Sequence, residues 1–287
     1  MYADFDLLVP EKLDEALTMI GDTGSGRKPL GGGTNLVVEM RATGEGPDAL
    51  ISVGRLPCLH GIQIDANKVT LGAATTVSEL LRHPGMEQVG AALVGAARVF
   101  AGQMVRNTAT IAGNICCGSP AADLVPPLLA LGASVTLQSS RSNREVPLVE
   151  YFTGYKESVC KPNELLTQIC WPRPTAASAS RFYKLGRRKG DAITVVGVAV
   201  SLTVEAGTCT EVRIALGAVG PYVLRTVKAE AILRGQILTP ELIDAAARQA
   251  AEDVTPIDDV RASGAYRKQQ VLVLVRRLLV QTLESLA

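Results

Sequence analysis

The sequence predicts an α+β protein built in two parts, each mixing strands with helices. Three observations carry this. Segments that alternate apolar and polar residues, such as 61–73, stand beside segments with helical spacing, such as 11–20. A Pro-Arg-Pro cluster at 172–174, followed by the small residues 175–180, reads as a joint between domains. The 287 residues also exceed the roughly 100–200 of a usual domain.

In chain order, 11–20 puts Leu13, Ala16, Leu17 and Ile20 on one helical face behind Pro10, a favoured residue at a helix start. Lys28, Pro29 and Leu30 form a short extended piece leading into a glycine run, and 49–53 reads as a strand. Residues 61–73 read as a hairpin turning at Ala66-Asn67. Thr76 with Glu79 three residues on is a capping-box pattern opening a short helix. An Ala-rich helix is expected over 86–99, and another from about Asp123 to Gly132. Strands follow at 134–138 and 164–171, the latter closed by Pro172 and Pro174. Beyond the joint come strands 193–204 and 211–219 around an Ala206-Gly207 turn, helices at about 226–234 and 240–252, and a long amphipathic helix from Tyr266 onward.

Composition narrows the function. Lys+Arg number 29 and Asp+Glu 28, a balance without the electrostatic footprint of a nucleic-acid or anionic-membrane binder. Four Phe, six Tyr and one Trp are too few for base-stacking platforms. The N-terminal stretch lacks a basic, apolar leader, and no apolar run approaches the roughly 20 residues of a membrane span, so a cytoplasmic location is expected. The six cysteines form no CxxC, and the adjacent Cys116 and Cys117 suit neither zinc nor an iron–sulfur set; reduced buried thiols are expected.

Two segments leave the backbone bare: Leu30-Gly31-Gly32-Gly33-Thr34-Asn35 and Thr110-Ile111-Ala112-Gly113-Asn114. Glycine permits positive φ and removes the Cβ that would block a ligand, and successive amides in such a turn form an anion nest. Each segment alone is equally compatible with an ordinary tight turn. The first is neither a P-loop nor a Rossmann fingerprint, because no GK[ST] follows and GxGxxG is missing. Together, with Asp123 downstream as a candidate acceptor or helix cap, they fit a dinucleotide whose diphosphate is held by amides.

The pieces PLGGGTNLVVEMR (29–41), FAGQMVRNTATIAGN (100–114), SPAADLVPPLLALGA (119–133), ELLTQICWP (164–172) and FYKLGRRKGDAITVVGVAV (182–200) resemble the FAD-binding subunit of the molybdenum hydroxylases, the group of xanthine, nicotinate and carbon monoxide dehydrogenases. The resemblance covers essentially the whole chain. It implies an FAD-binding domain of the vanillyl-alcohol-oxidase (PCMH) type over 1–175, with subdomains of about 1–55 and 56–175, and a smaller α+β domain over 178–287. It further implies that Pro29, Leu30, Gly31, Gly32, Gly33, Thr34, Asn35 and Leu36, with Thr110, Ile111, Ala112, Gly113 and Asn114, wrap the pyrophosphate. By the same resemblance Asp123 accepts a hydrogen bond from the ribose or adenine end, Phe100 and Ala101 flank the flavin, Leu166 packs on the adenine, and Lys184 reaches the flavin or its phosphates. Relatives often read TIGGN where this chain has Ala112; a positive φ there would cost about 1 kcal/mol.

No Ser-His-Asp set, metal cluster or carboxylate pair appears, and the two histidines, His60 and His83, sit beside no nucleophile. No catalytic side chain and no metal ligand is therefore expected in this chain, which fits a protein that binds and orients a redox cofactor. The resemblance implies an oxidoreductase component. A large molybdenum–pterin subunit and a small subunit with [2Fe–2S] clusters would be its partners, and NAD+ or another molecule its acceptor. A self-contained flavin oxidoreductase and a scaffold that has lost FAD are the alternatives.

Overall fold

The computed structural model describes residues 4–22, 26–188 and 190–286; residues 1–3 of the N-terminal stretch and Lys189 of the basic run at 187–189 lie outside the described residues. The first lobe contains β1 (Asp6–Leu8), α1 (Leu13–Gly21), β2 (Arg27–Leu30), α2 (Leu36–Thr43) and β3 (Ala49–Ser52). Its strands form a parallel sheet in the order β1-β3-β2, and Ala16, Leu17 and Ile20 of α1 bury against Ile51 and Val53. The glycine run therefore follows directly from the end of β2, at the carboxyl edge of a parallel sheet, where ligands commonly bind.

The second lobe opens with the expected hairpin, β4 (Ile62–Ile64) and β5 (Lys68–Gly72), and the capping box of Thr76 and Glu79 starts α3 (Val77–Arg82). The helix expected over 86–99 is two, α4 (Met86–Val89) and α5 (Ala91–Arg98). The chain breaks at Gly90 because Trp171 is seated there: its indole donates to the Val89 carbonyl at 2.9 Å, and a Cβ on Gly90 would lie 3.1 Å from Met86 and 3.5 Å from the indole. Then come α6 (Gln103–Arg106), α7 (Ile111–Cys116), α8 (Val125–Ala130), β6 (Ser134–Gln138), β7 (Asn143–Pro147), β8 (Phe152–Gly154), β9 (Glu157–Ser158) and β10 (Leu165–Pro172). The large sheet has the order β4-β5-β10-β6-β7, all antiparallel, and β8-β9 is a separate small hairpin.

The last part is an antiparallel sheet of β11 (Ser178–Gly186), β12 (Thr194–Glu205), β13 (Thr208–Gly217) and β14 (Leu224–Arg225), backed by α9 (Val227–Leu233), α10 (Pro240–Glu252) and α11 (Gly264–Glu284). Residues 178–180, expected as part of the joint, already pair in β11. Val196, Val198 and Val200 of β12 face these helices, whereas Ala199 and Ala215 join the core of the second lobe. The unbroken apolar run of β12 thus reflects burial on both faces. The face toward the second lobe is built small: a Cβ on Gly217 would lie 3.2 Å from Pro126 of α8, and the Ala218 amide donates to the Pro120 carbonyl at 2.6 Å. This close approach seats α8 and the segment before it against the end of β13.

Candidate cofactor-binding site

The two bare segments come together. Gly32 lies so near the other segment that a Cβ on it would stand 1.8 Å from the Thr108 carbonyl oxygen, and one on Gly31 would stand 3.0 Å from the Thr110 hydroxyl. Gly33 has φ +70°, the left-handed conformation that turns β2 into α2. The segments border a cleft of about 630 Å³, within the range of small-molecule and cofactor sites. Pro29, Leu30, Gly31, Gly32, Gly33, Thr34, Asn35, Leu36, Phe100, Thr110, Gly113 and Asn114 all line it.

The two segments differ in what they offer. Among the described residues, none accepts a hydrogen bond from the amides of Gly32, Gly33, Thr34 or Asn35. The second segment is not a loop but the start of a helix: Thr110 caps α7, its hydroxyl accepting from the Gly113 amide at 3.0 Å. The amides of Ile111 and Ala112 donate to the carbonyls of Thr75 and Ala73, and that of Asn114 to Thr110. The second segment therefore presents side chains and the end of a helix, while the first presents bare amides. Asn114 Oδ1 accepts from the Leu124 amide at 3.0 Å, which fixes the carboxamide and leaves its amino group as a donor. Ile111 and Ala112 are buried beneath the cleft. Ala112, being helical, carries no φ strain; beside the cleft it is Ala101, at φ +36°, that is strained. Arg106 braces that turn by donating to the carbonyls of Phe100 at 2.8 Å and Ala101 at 2.6 Å.

Three expected contact residues lie behind the cleft wall. Leu166 is a core residue of β10. Asp123 caps no helix, since α8 begins after Leu124. Its carboxylate instead accepts from the Lys184 ammonium at 2.6 Å and the Thr194 hydroxyl at 2.5 Å, so Asp123 and Lys184 are first of all partners of each other. Both side chains are only 8% exposed. Burial pushes the Asp123 carboxyl above its ordinary range, opposed by the Lys184 charge and by the hydrogen bonds from Lys184 and Thr194. Lys184 also reaches the Val99 carbonyl, at 3.4 Å, so the pair abuts the Phe100-Ala101 turn.

The cation expected from the sequence, Lys184, does not line the cleft; two others, Lys28 and Lys156, do. Lys156 sits at φ +57° in the β8–β9 turn, and its ammonium meets Glu39 of α2 at 2.5 Å. The span 139–163 has neither strong alternation nor a recognised motif, so nothing in it flagged Lys156. Cys116 and Cys117 also line the cleft, the Cys116 thiol 3.6 Å from the Tyr151 hydroxyl. Burial pushes the Cys117 thiol up, so it is a poor nucleophile.

A row of free amides at a helix start, glycines that let the two segments close against each other and two cations lining the cleft fit an FAD diphosphate. Fold and cleft together define a flavin-nucleotide-binding component of an oxidoreductase. Residues 3–174 match the family model of the FAD binding domain in molybdopterin dehydrogenase, and residues 181–282 that of the CO dehydrogenase flavoprotein C-terminal domain. The nicotinate dehydrogenase FAD-subunit of Eubacterium barkeri is 33% identical over 99% of this chain and 97% of its own length. The carbon monoxide dehydrogenase medium chain of Hydrogenophaga pseudoflava is 31% identical over 96% of each. A solved carbon monoxide dehydrogenase from that organism, lacking the Mo-pyranopterin moiety of its cofactor, superposes with a TM-score of 0.95 at 32% identity over 99% of both chains. This chain belongs to the family of FAD-binding subunits of molybdopterin-dependent dehydrogenases, and its fold is the PCMH-type FAD-binding domain with the flavoprotein C-terminal domain.

Proposed function

We propose that this chain is the electron-transfer subunit of a multi-subunit molybdenum hydroxylase working in the cytoplasm. Its partners are a molybdopterin-binding large subunit, which hydroxylates the substrate, and a small subunit whose [2Fe–2S] clusters deliver electrons to this chain. The acceptor is NAD+ or another oxidant. FAD supplies the redox chemistry; the chain binds and orients it. The domains divide that work, with 1–175 holding the cofactor and 178–287 bracing the wall around Asp123.

The free amides of Gly32, Gly33, Thr34 and Asn35 in a glycine cradle carry the reading. They donate to the diphosphate, with Pro29, Leu30, Gly31 and Leu36 shaping the near wall. Thr110, Gly113 and Asn114 close the far wall over Ile111 and Ala112. Phe100 and Ala101 hold the flavin end, and Lys28 and Lys156 offset phosphate charge. Asp123, Lys184 and Leu166 support the wall from behind, with Asp123 also within the part assigned to the ribose.

The test is a visible spectrum of the purified complex, then of this chain titrated with FAD. A flavin spectrum at one FAD per chain, bleached when substrate is given to the whole complex but not to this chain alone, is expected. A chain that turns over a substrate unaided would establish a self-contained oxidoreductase. One that stays colourless with excess FAD would establish a scaffold.

A further inference from the structure

The two segments that border the cleft belong to a closed ring of contacts, and one link in that ring is a single imidazole. Gly31 lies between two neighbours. A Cβ on it would stand 3.0 Å from the Thr110 hydroxyl, and a Cβ on Gly54 would stand 2.9 Å from the Gly31 carbonyl oxygen. Thr110 pairs with Thr76 in an isolated antiparallel bridge. The Val77 amide donates to the Ala109 carbonyl and the Ile111 amide to the Thr75 carbonyl on either side of it, both at 3.0 Å. Thr76 is held by Glu79, whose carboxylate accepts from the Thr76 amide at 2.6 Å and from its hydroxyl at 2.9 Å. His60 spans the gap that remains. Its Nε2 donates to the Gly54 carbonyl at 2.9 Å, and its Nδ1 lies 3.5 Å from the Glu79 carboxylate.

The link crosses the boundary between the lobes. Gly54 follows β3 at the end of the first lobe, and Glu79 lies on α3 of the second. The amides of Val53 and Gly54 both donate to the Leu30 carbonyl, at 3.0 and 3.2 Å, so a shift of Gly54 carries the start of the glycine run with it. A carbonyl can only accept, so the proton on Nε2 is fixed. Burial would raise the Glu79 carboxyl, but the bonds from Thr76 and the attraction of His60 bring it below its ordinary value. Nδ1 therefore faces a carboxylate and completes the link when it too carries a proton. The neighbouring bond from the Gly72 amide to the Gly61 carbonyl, at 3.0 Å, brings no charge to the ring. The His60 side chain is 30% exposed and that of Glu79 45%, so the pair adds little to global stability and acts on spacing instead.

We propose that His60 is a positioning residue: it ties the end of the first lobe to the capping box of α3 and so sets the distance between the Gly32–Asn35 amides and the Thr110–Asn114 wall that close on the diphosphate. This rests on the FAD reading above. The experiment is a fluorescence titration of the full chain with FAD, with urea unfolding alongside, for the parent, His60→Ala, Glu79→Gln and the two combined. It is run at about pH 5 and about pH 8, the range over which imidazole changes charge. At the lower pH His60→Ala should bind FAD roughly fivefold more weakly than the parent, the worth of one net hydrogen bond, with little change in its urea midpoint. The parent should bind more weakly at the higher pH, a weakening that His60→Ala does not show. Glu79→Gln should not weaken there either, because its carboxamide keeps the Thr76 bond through its oxygen and donates to an unprotonated Nδ1. With His60 replaced by alanine, Glu79→Gln should change nothing further. Parent-level affinity in His60→Ala overturns the assignment, and so does a pH dependence that His60→Ala or Glu79→Gln shares with the parent. The Glu79→Gln comparison carries the test without removing the imidazole. A parent chain that binds no FAD overturns the FAD reading itself, a result distinguishable from a variant that binds as the parent does.

Discussion

Replacing Asp123 by alanine tests whether the Asp123–Lys184 pair is part of the architecture or only a ligand contact. In the structure both side chains are 8% exposed, and Thr194 donates to the same carboxylate. Asp123→Ala would leave the Lys184 ammonium buried without its partner, a change that typically costs ~3–5 kcal/mol. The abandoned Thr194 hydroxyl adds about 1 kcal/mol or more. Against a usual net stability of about 5–15 kcal/mol, that is a large share. Removing both charges, with Asp123→Ala and Lys184→Met together, takes away the unpaired cation as well. The double variant should therefore be less destabilised than the single effects added, with a coupling of at least ~2 kcal/mol. The assay is urea unfolding of the four proteins, each without FAD and at saturating FAD. Lys184→Met alone also has a pH signature. Burial then raises the Asp123 carboxyl unopposed by the ammonium, so its destabilisation is smallest in acid and grows as pH rises through the raised value. Additive single effects without FAD, combined with loss of FAD affinity only in Asp123→Ala, would refute the architectural role.

Gly32→Ala should weaken FAD binding at least tenfold, because the new methyl group forces the two segments apart by about 1.5 Å. Gly44→Ala, at φ +72° with nothing within 4 Å, should cost about 1 kcal/mol of stability and leave FAD affinity unchanged; fluorescence titration compares the two. Lys156→Met should weaken FAD binding a few-fold and reduce its salt dependence. It should barely move the melting temperature, since a half-exposed pair such as Lys156–Glu39 contributes about 0–1 kcal/mol. The Arg261 and Arg267 guanidiniums hold the Asp259 carboxyl well below the usual carboxylate range, so its stabilisation is full above an ordinary pKa of 3.8 and is lost as pH falls. Asp259→Asn should be less stable at neutral pH and show a flatter acid limb in unfolding curves.

Elements with a strong local signature were legible. The capping box of Thr76 and Glu79, the 61–73 hairpin and the three C-terminal helices all announce themselves through period or cap. The break at Gly90 was not legible, because it depends on Trp171, which is distant in sequence. Strands β7, β8 and β9 were missed because edge strands and short hairpins alternate weakly, and Lys156 was missed with them. At the site, sequence reasoning found the residues that meet but not how they divide the work. Whether an amide is free depends on tertiary partners such as the Thr75 and Ala73 carbonyls, which no local pattern encodes.

The small-residue face that lets α8 lie against β12 and β13 has a consequence for the order in which the molecule comes apart. Gly217 and Ala199 offer no bulk that could serve as a greasy surface for an isolated C-terminal piece, while the helices they receive would be stripped of cover in an isolated N-terminal one. Neither fragment should survive alone as a tight, soluble body. Calorimetry of the intact chain should show one endotherm rather than two, with a protease cut between them felt on both sides.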